Sequence, residues 1–174
     1  MGIGSRVGMT AVLLVMLGGV MTAELQQCRR SPLPANVDLP RDLETVVRRI
    51  YELSPAFRAQ CDRIAETANM RVTVQIDAAI PAHCRAFTVV QRRGRTIRAH
   101  VHLRPGSDHA ELLAHEFEHL LEQIEGVDVR KLSRMRGSGV REVERELFET
   151  DRAQAAGRVV AGEAGRFRKA PAAD

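Results

Sequence analysis

Tryptophan is absent, tyrosine occurs once, and aromatic residues make up only 3% of the 174-residue chain. That excludes a core of stacked rings, so leucine, valine, isoleucine and alanine must supply the packing. It also removes the interleaved aromatic and basic side chains that hold nucleic acid, a partner class the sequence therefore excludes. The net charge of +4 comes almost wholly from arginine, because Lys131 and Lys169 are the only lysines. This bias reflects a GC-rich coding background and forms no basic patch. Three cysteines lack the spacing of a Cys-based metal site. Cys61 and Cys84 flank the first predicted strand and could form a disulfide, the alternative being two buried thiols; Cys28 is then left over. Internal repeats are also lacking.

What is present begins with Arg6, followed by an uncharged apolar run from Val7 to Ala23. The run is at the lower limit of a membrane span and reads as a secretory signal peptide or an uncleaved anchor over residues 1–23. Gln27 before Cys28 argues against lipid attachment, which wants a small residue there. The expectation is an exported domain, periplasmic or extracellular, or one anchored outside the cytoplasm through that segment. Pro32, Pro34 and Pro40 predict an extended linker over 24–40, one folded domain over 41–165, and a disordered tail over 166–174.

Within the domain, Leu43, Val46, Val47, Ile50 and Tyr51 give an amphipathic helix, and Ser54-Pro55 caps a second carrying Phe57, Cys61 and Ile64. Val72, Val74 and Ile76 alternate with polar residues as a half-buried strand. Residues 86–91 and 96–103 read as two more strands, joined by a hairpin turn at Arg92-Arg93-Gly94-Arg95. His100 and His102 share a face of the last strand and read as polar surface. His83 and His109 fall in loops.

The segment from Glu111 to Glu125 is the most informative. Leu113, Phe117, Leu120, Leu121 and Ile124 form one apolar stripe, with Asp108 or Ser107 to cap the start and Gly126 to stop the helix. On the opposite side lie His115 and His119 of the motif His115-Glu116-Phe117-Glu118-His119. Residues four apart on a helix share a face, so the two histidines can grip one Zn2+ ion, with Glu116 beside it as a base. The run carries five glutamates and no basic residue, a negative patch suited to a cation.

A catalytic zinc site needs a third protein ligand. Glu125 stands where metzincin-type peptidases place their third histidine, but Glu122 occupies the position where that geometry needs glycine, so Glu125 is rejected. A second helix predicted over Gly139 to Ala161 offers Glu149, beside the small residues Ala153, Ala156 and Gly157, which would permit close approach. Glu146 is the weaker alternative.

With these residues in place, the chain resembles the gluzincins, zinc peptidases with an H-E-x-x-H…E signature, and looks most like the small minigluzincins. The likeness covers roughly residues 70 to 160. It implies an α+β, zincin-like fold: a small antiparallel or mixed sheet, the H-E-x-x-H helix, and a following helix bearing the glutamate. It further implies zinc on His115, His119 and Glu149, water in the fourth position, and Glu116 as general base for hydrolysis of a peptide or protein substrate. By the same likeness, Thr96 to Leu103 is the edge strand that pairs with substrate. The chain departs from the pattern twice. Ala153 stands where many gluzincins carry an acid that orients a histidine, Asp151 lying nearer. No histidine or tyrosine follows His119 to steady an oxyanion, leaving Arg152, Arg158 or a sheet histidine. A non-catalytic zinc-stabilised module, binding a partner or peptide by its sheet edge, is the alternative function. A metal-free helical protein with a chance motif is the third.

Overall fold

Alternating apolar side chains build the centre of the molecule. The structure, a computed structural model, describes residues 33–106 and 108–166. Four strands form a mixed sheet: β1 (Val37–Asp38), β2 (Met70–Ile76), β3 (Ala86–Arg93) and β4 (Thr96–Leu103), in the order β1-β2-β4-β3. β2 runs parallel to both β1 and β4, while β3 and β4 form an antiparallel hairpin. Val72, Val74, Ala99, Val101 and Leu103 bury one face of the sheet.

Against that face pack α1 (Arg41–Leu53), α2 (Pro55–Ala65) and α3 (His109–Glu125). Ser54 starts α2 by accepting a hydrogen bond from the Phe57 N–H at 3.0 Å, with Pro55 pre-set for the first turn. Phe57 and Phe117 stack with ring centroids 5.6 Å apart, joining α2 to α3 at the core. A short α4 (Val129–Leu132), a hairpin of β5 (Val140–Glu144) and β6 (Leu147–Thr150), and α5 (Asp151–Arg166) complete the domain. The fold is α+β: five helices, a small mixed sheet and a separate hairpin among the described residues.

Three expectations need correction. The stretch predicted as linker up to residue 40 joins the domain from Leu33 onward: Leu33 and Val37 are buried, and Asp38 pairs with Arg71. Proline stops a helix but is tolerated beside an edge strand, and that is how this segment uses it. The helix predicted over Gly139 to Ala161 is a β-hairpin followed by a helix. Val140, Val143 and Leu147 satisfy a helical period, but β5 and β6 pair, and Thr150 starts α5 by accepting from the Ala153 N–H at 2.9 Å. Thr96–Leu103 is not an edge strand. As β4 it is paired on both sides, and the free edge next to it belongs to β3. Of the two alternatives left open for Cys61 and Cys84, the structure shows free thiols, the first buried and the second half-buried. Cys61 lies in the core, where burial pushes its thiol up to about 12.

No described helix is long and apolar enough to cross a membrane. The Val7–Ala23 segment and the residues after Arg166 lie outside the described residues.

Candidate metal centre

α3 carries the motif as its period requires. Asp108 caps it, accepting from the N–H of Ala110 at 3.2 Å, and Gly126 ends it. Leu113, Phe117, Leu120 and Leu121 point into the core. His115 and His119 lie on the other side, their ring centroids 4.9 Å apart and nearly perpendicular. Glu149, the residue before last in β6, meets them from across the gap. Its Oε1 lies 3.4 Å from His115 Nε2 and 3.9 Å from His119 Nε2. The three donor atoms fall within 4.8 Å of one another, the one such cluster among the described residues.

The approach of α5 makes this meeting possible. A Cβ on Gly157 would stand 2.9 Å from the Glu111 carbonyl oxygen and 3.3 Å from His115 Cβ. Real side chains do not tolerate the first distance, so glycine is what lets the two helices touch. The small residues noted in the sequence serve that purpose. Glu149 itself, however, is delivered by the hairpin strand and not by the helix.

The other candidates fall elsewhere. Glu146 sits at the hairpin tip and accepts from Arg130 at 3.0 Å. Glu125 is engaged by Arg63 and Arg152. Arg152 is thereby removed as an oxyanion donor, since it also donates to Glu118 at 2.6 Å. Arg158 does line the cleft. On the sheet, His102 bonds Asp77 and Gln75 and stacks on Phe87, apart from the cluster.

Two residues escaped the sequence reading. Glu122 Oε2 lies 2.8 Å from His119 Nδ1 and, as acceptor, selects the tautomer whose Nε2 lone pair faces Glu149. Its other oxygen accepts from the Thr150 hydroxyl at 2.7 Å. One buried carboxylate thus orients a histidine and ties α3 to the residue next to Glu149. The legible signal was its spacing: Glu122 stands one turn after His119 on one face. The second is Thr88 of β3, whose hydroxyl donates to Glu116 Oε2 at 2.6 Å.

Electrostatics separate the groups. Burial pushes the Glu116 carboxyl up to about 7, against the pull of His119 and the Thr88 bond. Burial also lowers His115, although Glu149 opposes it. For His119 burial is again the largest influence and lowers it, but the bond to Glu122 together with the charges of Glu116, Glu122 and Glu149 outweighs it, and the ring is raised. Glu122 is raised by burial yet lowered overall by His119 and Thr150.

A cleft of about 880 Å³ opens over these residues, walled by β3, α3 and the β5–β6 hairpin. Comparison of the chain with family models, curated proteins and solved structures returned no match in any of the three. The donor set, two imidazole nitrogens and one carboxylate converging within 4.8 Å, is of the kind zinc accepts. One histidine is already oriented by a carboxylate.

Proposed function

We propose that the chain is a small zinc metallopeptidase with a zincin-like arrangement of the gluzincin type. The observation that carries this reading is the convergence of His115, His119 and Glu149 beside a buried Glu116. The three ligands would hold zinc in a set that leaves one position open. Zinc bound there would supply Lewis acidity toward a peptide carbonyl and make a water acidic enough to lose its proton near neutral pH. Glu116 would take that proton and pass it to the leaving amine. Thr88 holds the carboxylate from β3, and the free edge of β3 beside it would pair with an extended peptide backbone. Arg158 remains the candidate for steadying the oxyanion. With Val7–Ala23 read as a signal or anchor, the site would act outside the cytoplasm.

The second reading, a zinc-stabilised module that binds a peptide on β3, draws on the missing histidine or tyrosine donor. One set of measurements separates the readings. Purified chain should bind one zinc, with His115→Ala and Glu149→Ala losing it. Glu116→Gln should keep zinc and lose cleavage of unstructured peptides. Full activity in Glu116→Gln would refute the peptidase mechanism, and no zinc uptake by wild type would refute both readings.

A further inference from the structure

The roof of the cleft is the β5–β6 hairpin, and its two ends are attached differently. At the base, Thr150 is bonded to Glu122, Arg141 to Asp151 at 2.9 Å, and the Asp151 N–H to the Gly139 carbonyl at 2.8 Å. At the tip, the hairpin is fastened at opposite ends of the cleft. Glu144 meets His83, in the loop before β3, at 2.7 Å. Glu146 meets Arg130, on α4, at 3.0 Å. The ends are opposite because β3 runs beside α3 in the same direction. Arg85 faces Glu111 near the start of the helix, and Arg92 donates to the Gln123 carbonyl near its finish.

Every partner in these two pairs is more than half exposed, so each contact is weak, and the Arg130–Glu146 ion pair is screened by salt. The chain enters the hairpin through Gly137 and Gly139, both at positive φ, and its turn contains Glu146 at φ 64°, a strained conformation for that residue. Val143, Leu147 and Phe148 turn apolar surface toward the cleft. A roof with a fixed base, a weakly tied tip and an apolar underside is built to lift.

We propose that β5–β6 is a flap over the candidate metal cleft, strapped shut by His83–Glu144 and Arg130–Glu146, and that a ligand enters by breaking these straps. The base, which carries Glu149, stays in place while the tip rises. The flap does not depend on hydrolysis: it gates the cleft equally for a peptide that is cut or merely bound.

Cys84 tests this without any metal, because its half-buried thiol lines the cleft next to His83. The full chain with Cys28→Ser is labelled by a small and by a bulky thiol reagent, while buried Cys61 stays silent. Arg130→Ala cuts the strap at the end of the cleft away from Cys84. It should speed bulky labelling roughly two- to five-fold, the scale of one exposed ion pair, and leave small-reagent labelling nearly unchanged. Glu144→Ala combined with Arg130→Ala should speed bulky labelling further, and added salt should speed wild type but not the double variant. Bulky labelling indifferent to both variants and to salt would overturn the flap. Equal acceleration of both reagents would also overturn it, since a charge effect on the thiol does not discriminate by size.

Discussion

Gly157 sets two principles against each other, which makes its replacement by alanine a sharp test. It sits inside α5, where glycine is about 1 kcal/mol worse than alanine, so propensity alone makes Gly157→Ala stabilising. The structure opposes that gain. The new methyl would stand 2.9 Å from the Glu111 carbonyl oxygen, a backbone atom that cannot swing away, and 3.3 Å from His115 Cβ. Forcing a methyl into such contact costs about 1–3 kcal/mol, so the net expectation is a loss of about 1 kcal/mol. Gly162 is the control on the same helix, because a Cβ there meets nothing within 4 Å. Gly162→Ala should gain up to about 1 kcal/mol. Urea denaturation of the metal-free proteins measures both, with unchanged m-values as the check that only stability moved. Relief of the clash by sliding α5 outward would also carry Thr150 and Glu149 away from His115, so zinc affinity should fall in Gly157→Ala alone. If both alanines stabilise alike and zinc binds as in wild type, the close helix contact and its role in placing Glu149 are wrong.

Three further outcomes follow from the site. Glu122→Gln should weaken zinc binding roughly ten- to a hundred-fold by competition titration, while Glu118→Gln, on the same helix but bonded to Gln60 and Arg152, should not. Equal losses would mean that Glu122 does no more than support the helix. Burial holds Glu116 up to about 7 in the folded metal-free chain, against 4.5 for the free side chain. The folded state then binds the proton more tightly, so this group's contribution to stability is best below about pH 4.5. It declines as pH rises through 7, by on the order of 3 kcal/mol. Glu116→Gln should accordingly match wild type near pH 4.5 and exceed it at pH 8 in thermal unfolding; a pH-independent difference would contradict the burial argument. Finally, the intact mass should show no bridge between Cys61 and Cys84. Cys61 should react with a thiol reagent only after unfolding, since burial keeps it protonated.

What could be read from the residues was whatever is local and periodic. α3 announced itself through a long apolar stripe with a capping Asp108 and a terminating Gly126, and the β3–β4 hairpin through alternation on either side of Gly94. The hairpin over 140–150 was illegible because Val140, Val143 and Leu147 fit a helical period as well as two short strands. Pairing between strands distant in the chain leaves no local mark, so the edge position of β3 could not be distinguished from that of β4. β1 is too short to show any alternation. At the site, the motif residues on α3 were legible from spacing alone. Glu149 was singled out for the right neighbours but on the wrong element. Glu122 was overlooked because it was weighed only as a break in the metzincin pattern.

The route by which Glu149 reaches the histidines bears on the order of folding. The donors belong to two parts of the chain that touch only once α5 has docked along α3. An ion shared between them would act as a cross-link closing the long loop through α4 and the hairpin. Such a link needs α3 and the hairpin already brought together, since its donors are divided between them. It would therefore slow the opening of the domain far more than it would hasten its assembly, and loss of metal would be felt first as a shorter native lifetime.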